Sequence, residues 1–225
     1  MLTPSVEAVI EALLDSSRLS FAHMLRIPVE NASAESLFRL ASIALLVNEQ
    51  MNGGALWRAS ELFVKRNWTS PYNLAKSTLE ERVTALQEAD YIMFDANERC
   101  AYSLGELAQA VIVKYNGDLR NLRKAAGKKP GEIRRALGEI NGMGTRQVDV
   151  FLREAQVAWN EVFPFMTEAA RGGARGLGLP GDPSELAMHC RSLEFPRLVS
   201  ALEAAASAEE RGRIIEKAQS LAPQR

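Results

Sequence analysis

Apolar residues recur at helical spacing along most of the chain. Val6, Val9, Ile10, Leu13 and Leu14 share one face of a helix, which Thr3-Pro4 is suited to open as a cap and a first-turn residue. Leu37, Leu40, Ala41, Ala44, Leu45 and Val47 predict a second helix, buried over most of its surface. Asn52-Gly53-Gly54 reads as a break, after which Leu56, Ala59, Leu62 and Phe63 predict a third helix ending near Asn67. Ser70-Pro71 starts a short fourth. Thr78-Leu79-Glu80-Glu81 is a capping box, in which threonine and glutamate each satisfy a backbone N–H of the other. Ser103 reads as the cap of a helix through Leu104, Leu107, Ala108, Val111 and Tyr115, closed by Asn116-Gly117.

The same period continues to the end of the chain. Ile133, Leu137 and Ile140 mark a helix from Pro130, Asn141-Gly142-Met143-Gly144 turns, and Val148, Phe151 and Leu152 mark a helix from Thr145. A link rich in proline and phenylalanine follows Trp159, then a short helix from Thr167 and turns over Gly178–Pro183. Two further helices fit Phe195–Ala205 and Ala208–Leu221, the second opened by the capping box Ser207-Ala208-Glu209-Glu210. No segment alternates at the period of a strand. The expected fold class is all-α.

Composition narrows the function classes. The chain has 225 residues, enough for one large domain or two small ones. It is 47% hydrophobic and 24% charged, as expected of a soluble globular protein. A net charge of −1 argues against a protein that coats nucleic acid over its whole surface, but not against a local basic face. The two cysteines, Cys100 and Cys190, are too few for a four-cysteine zinc or iron–sulfur site and form no Cys-x-x-Cys pair, so free thiols in a reducing cytoplasm are expected. His23 and His189 stand alone, in no metal-ligand pattern, and read as structural or solvated side chains. No metal or cofactor is expected. The N-terminus lacks a basic region followed by an apolar run, and the longest apolar stretch, Ile43–Val47, is far short of the roughly 20 residues that span a bilayer.

The most informative segment is Ile140-Asn141-Gly142-Met143-Gly144-Thr145-Arg146-Gln147. Two glycines this close permit a tight turn with positive φ and leave no Cβ above the backbone. The helix that starts immediately after aims its unbonded N–H groups outward, with the positive end of its dipole behind them, an arrangement that binds phosphate oxygens. Such contacts position DNA without reading its sequence. A plain connection between two helices also favours glycine, and this segment alone leaves both readings open.

The run Leu137–Val150 resembles the helix-hairpin-helix of the HhH-GPD superfamily, which includes endonuclease III and related DNA glycosylases. Downstream, Phe151-Leu152-Arg153-Glu154-Ala155-Gln156, Trp159, Pro164-Phe165 and Gly173–Pro180 look like a bacterial subgroup of endonuclease III-like proteins that lacks the iron–sulfur cluster. Upstream, Leu45–Met51 sits where the family has its first barrel helix, and Gln50 matches the glutamine that fills the gap left by a flipped base. The resemblance covers about residues 30–180. It implies two helical domains with a cleft between them: a six-helix barrel over residues 28–160, and a second domain from residues 1–27 and 161–225. Double-stranded DNA would cross the cleft, one nucleotide flipped into it. The implied DNA-binding residues are Gln50, Gly142, Met143, Gly144, Thr145 and Arg146, with Lys128 and Lys129 beside them.

Two departures bear on chemistry. The lysine that attacks the sugar in the bifunctional enzymes is matched by Arg146, which stays protonated and cannot be an amine nucleophile, so β-lyase chemistry by that route is not expected. Arg146 either contacts a phosphate or pairs with Asp149 one turn on. The aspartate that stabilises the departing sugar aligns with Thr167, which carries no charge, and the neighbouring Glu168 is rotated by about 100° on a helix. Glu168 is therefore either a substitute acid or a helix-start glutamate with a structural role. Where some relatives have a further lysine, this chain has Ala169.

Between Lys114 and Arg135 stand eight basic residues, opposed only by Asp118 and Glu132. Beside the hairpin they are expected to extend its phosphate-binding surface, and six neutralised phosphates would give a salt slope of about −5. Trp57, Trp68 and Trp159 are expected to pack in the core or between domains. The preferred expectation is a duplex-DNA-binding protein of this superfamily, recognising damaged or distorted DNA, with glycosylase chemistry weak or lost, and located in the cytoplasm on the nucleoid. An active monofunctional glycosylase is one alternative. An all-α interaction scaffold that does not bind DNA is another.

Overall fold

The computed structural model describes residues 4–16, 19–48, 53–91 and 96–221. Every regular element among them is helical. In chain order these are α1 (Val6–Leu14), α2 (Phe21–Met24), a 3-10 turn (Val29–Asn31), α3 (Ala34–Leu45), α4 (Gly53–Lys65), α5 (Pro71–Ala75), α6 (Leu79–Glu88) and α7 (Ala96–Tyr115). They continue with α8 (Leu119–Ala125), α9 (Pro130–Gly138), α10 (Thr145–Ala155), α11 (Glu168–Gly176), α12 (Pro183–Ala187), α13 (Phe195–Ala204) and α14 (Ala208–Leu221). Among the described residues no helix is long and apolar enough to cross a membrane.

Local chemistry explains most of the boundaries. Ser5, Ser20, Ser33 and Ser70 each accept the backbone N–H three residues on, opening α1, α2, α3 and α5. The capping box at α6 is complete, with Thr78 N–H donating to Glu81 (2.7 Å) and Glu81 N–H to Thr78 Oγ1 (3.1 Å). Asn116 and Gly117, at φ 52° and 75°, close α7 in the left-handed region.

Four expectations are corrected. Ser5, rather than Thr3-Pro4, opens α1, and Thr3 lies outside the described residues. Gly53 and Gly54 begin α4 instead of breaking the chain, because a first turn has no inward N–H bond for glycine to weaken. Ser103 lies inside α7, whose buried face already runs through Ala101 before Leu104 and Leu107. The short elements α2, α8 and α12 and the 3-10 turn leave no signal in the pattern, since three to seven residues carry too little of a 3.6-residue period to register.

Buried apolar side chains form two clusters. The larger runs from Ala22 to Val162 and centres on α3, which is buried nearly all round; Leu37, Leu40 and Ala41 have no exposed surface. The smaller joins α1 near the N-terminus to Met166, α11, α13 and α14. Within it α11 and α13 cross at very close range. A Cβ on Gly173 would lie 1.9 Å from the carbonyl oxygen of Leu202, so only glycine permits the approach. That contact fixes where the next residue, Glu203, projects. Trp68 and Trp159 are buried, Trp159 edge-on to Phe151 with ring centroids 5.4 Å apart. Trp57, expected in the core or between domains, is 39% exposed and lies outside the core.

Candidate nucleic-acid interface and cleft

Helices α9 and α10 are joined by a hairpin whose shape is set by two features. Gly142 has φ 85°, and a Cβ there would lie 2.6 Å from Ser103 Cβ, so the turn is both left-handed and pressed onto α7. Met143 is the anchor. Its side chain is 2% exposed, in the larger cluster, and its N–H donates to Ile140 O at 3.0 Å. Neither its side chain nor its amide is therefore available to a phosphate, which corrects its expected place among the DNA contacts.

Gly144 is extended at φ −72° and is the N-cap of α10, with no side chain to cap it. The first helical bond of α10 runs from Val148 N–H to Gly144 O, 3.0 Å. The preceding amides of Gly144 and Thr145 lie on exposed residues at the positive end of an 11-residue helix. A groove of about 550 Å³ runs along this turn. Gln147 braces it from behind by donating to Val47 O at 2.7 Å, tying α10 to the end of α3.

The first turn of α10 also forms one wall of a cleft of about 760 Å³. Thr145, Arg146, Thr167, Glu168 and Ala169 all line it, so the chain positions singled out for chemistry converge in space. Phe21, Met24, Val47, Leu56 and Val150 supply an apolar side. Gln50 lies outside the described residues, although Asn48 and Gly53 on either side of it reach the cleft. Lys128 and Lys129 are not brought to the hairpin. Lys129 opens α9 and the hairpin follows its other end, about 13 Å away at 1.5 Å per residue.

The cleft also holds a carboxylate that sequence reasoning missed. Thr167 caps α11 by accepting Ala170 N–H at 3.2 Å, and its own hydroxyl donates to Glu203 Oε1 at 2.7 Å. The other oxygen of Glu203 is ion-paired with Arg153 Nη1, and Arg153 Nε donates to Glu154 Oε1 at 2.8 Å. Glu154 in turn accepts the amides of Phe21 (3.3 Å) and Ala22 (3.0 Å) at the start of α2. Arg153 and Glu154 are buried, at 6% and 1% exposure. Burial works against the charge on Arg153, but Glu154 and Glu203 overcome it and hold the guanidinium protonated, above its ordinary range. Arg153 and Glu203 both line the cleft, Glu203 the more openly, with its side chain 25% exposed against 7% for Arg153. Its distance in sequence from the hairpin left no local pattern to reveal it.

Glu168 differs in character. It is 77% exposed and lies 2.9 Å from Arg175 and 3.9 Å from Arg171. Asp149, one of two partners considered for Arg146, pairs across the hairpin with Arg134 at 2.5 Å, in a contact off the hydrogen-bonding direction.

The basic segment carries less available charge than its count implies. Arg120 pairs with Asp118, Arg135 with Glu132 and Glu139, and Arg134 with Asp149. Arg123 makes a two-pronged contact with Glu161, 2.5 and 2.6 Å, beneath the Trp159 ring. The Arg123 hydrogen bonds hold the Glu161 carboxyl below its ordinary range. Lys114, Lys124, Lys128 and Lys129 are exposed and make no ion pair among the described residues. Both cysteines are free thiols; burial, with Glu194 nearby, raises Cys190 to about 11.

No protein-family model matches the chain, and no curated protein matches it. One solved structure similar to it is a trapped endonuclease III–DNA covalent intermediate, an estranged-adenine complex. The identity is 19% over 90% of this chain and 85% of that one, with a TM-score of 0.46. A likeness of that degree assigns no role to any residue.

Proposed function

We propose that the chain is a duplex-DNA-binding protein of the endonuclease III-like HhH-GPD superfamily, of the kind without an iron–sulfur cluster, that admits an unstacked nucleotide of damaged or distorted DNA to its cleft. The observation that carries the reading is the shared first turn of α10. Its outward amides suit a backbone phosphate, and the residues beside them line a cleft large enough for a nucleotide. The domain reading is a barrel over residues 28–160 and a second domain from both chain ends. Its outline is supported by the two apolar clusters, the smaller of which joins α1 to α11, α13 and α14, while Ala22, Leu25 and Ile27 pack with the larger. Thr145, Gly142 and Gly144 are the proposed backbone-contacting residues, with Lys128 and Lys129 reaching phosphates farther along. One strand rises about 3.4 Å per nucleotide, so the length of α9 spans about four steps. A DNA partner would place the protein in the cytoplasm, on the nucleoid.

In this reading base-excision chemistry is weak or lost. Arg146 supplies no neutral amine, Thr167 supplies no charge, and the exposed, paired Glu168 is a poor substitute acid. The test has two parts. The protein should bind duplex DNA, and incubation with duplexes carrying single damaged bases, followed by alkali, should leave the strands intact. Cleaved product would return the chain to the active glycosylases, and failure to bind any duplex would leave an all-α interaction scaffold.

A further inference from the structure

The buried chain of contacts beside Thr167 gives that wall of the cleft a sign. Glu154 and Glu203 carry two negative charges and Arg153 one positive, so the three together hold one surplus negative charge. Glu154 is spent on Arg153 and on two backbone amides. Arg153 also lines the cleft, but its guanidinium is committed to the two carboxylates, so the surplus is presented by Glu203, the more exposed of the two. The other acids on this wall are engaged elsewhere, Glu168 by Arg175 and Asp149 by Arg134. Thr167 takes one side of the Glu203 carboxylate and Arg153 the other, which fixes its orientation before anything enters.

A fixed carboxylate in a partly dry cleft repels a phosphate and welcomes a hydrogen-bond donor or a cation. The amides at the start of α10, on the hairpin side, have the opposite preference, as does the charge of Arg146, which lines the cleft beside them. The cleft is thus polarised, with an apolar side of Phe21, Met24 and Leu56 suited to the flat face of a ring. From this geometry we infer that Glu203 reads the occupant of the cleft, and that the occupant is a nucleobase presenting an amine or ring N–H donor to it. The inference rests on the DNA-binding reading and deepens it, by naming the chemical class of base and the residue that selects it.

The experiment compares two duplexes differing in a single donor. One carries an unpaired adenine at its centre and the other an unpaired purine, which lacks the exocyclic amine; neither base must be unpaired to leave the stack. Affinities are measured by fluorescence anisotropy at one salt concentration. A hydrogen bond to a charged group predicts that the wild-type protein prefers the adenine duplex about tenfold. Glu203→Gln turns a donating amide toward the cleft, and the preference should fall to within about twofold. Should that variant fail to fold, Glu203→Asp keeps the charge beside Arg153 but withdraws the carboxylate by about 1.5 Å, and should lower the ratio in the same way. Equal binding of both duplexes by the wild type, or an undiminished preference in either variant, overturns the assignment while leaving DNA binding intact. Failure to bind either duplex overturns the DNA-binding reading and this inference with it.

Discussion

Replacing Arg153 with methionine isolates the contribution of the buried ion pair. The substitution keeps much of the apolar stem and removes the charge. Glu154, 1% exposed, would keep only the amides of Phe21 and Ala22, and Glu203 only the Thr167 hydroxyl. Removing one member of a buried pair typically costs about 3–5 kcal/mol, because the remaining charge is stranded without solvent. For a chain of this length each kcal/mol shifts the melting temperature by roughly 2–4 °C, so a fall of about 6–20 °C is expected. The assay is thermal unfolding by circular dichroism, with urea titration as a second measure. Because Arg153 bridges α10 to α13, the loss should be accompanied by a weaker preference among occupants of the cleft. A melting temperature within about 2 °C of the wild type would refute the reasoning. It would mean that the carboxylates find water or a proton at little cost.

Three further outcomes follow from the structure. Gly142→Ala forces a side chain into φ 85° and places Cβ 2.6 Å from Ser103 Cβ, and should cost about 2 kcal/mol in urea unfolding and weaken duplex binding measured alongside. Gly173→Ala would drive a Cβ onto the Leu202 carbonyl at 1.9 Å, so α11 and α13 must part; denaturation by heat should begin at a clearly lower temperature. The Glu161 carboxyl is lowered by Arg123, so this pair stabilises the fold above the unfolded carboxyl pKa of about 4.3 and loses that contribution as pH falls through the lower folded value. Accordingly, the stability gap between the wild type and Glu161→Gln should narrow as pH falls from about 5 toward 3, and a gap that stays constant would remove Glu161 from the acid response.

The helices were legible where a cap coincides with several turns of apolar period, as at Thr78 before α6 and at Gly144 before α10. The pattern misleads where glycine acts as a first-turn residue, as in α4, or where a polar residue sits inside a long helix, as Ser103 does in α7. The convergence of Arg146, Thr167 and Glu168 on one cleft agrees with the order in which the chain presents them, because α10 and α11 are near neighbours in sequence. Glu203 was invisible for the opposite reason. It reaches Thr167 only through a helix crossing that depends on Gly173, and such a crossing leaves no periodic trace. Charge counting overstates the basic segment, since it cannot show that Arg123 answers Glu161 thirty-eight residues away.

The central claim, that the hairpin surface holds duplex DNA by its phosphates, is tested most directly by titrating a fluorescent duplex with the protein over a range of salt. With Lys114, Lys124, Lys128 and Lys129 each releasing about one counterion, log affinity should fall against log salt with a slope of about −4, shallower than eight basic residues would give. Replacing Lys128 and Lys129 together by glutamine should reduce the magnitude of that slope by about 2. Binding that ignores salt, or no binding at low ionic strength, would contradict the account.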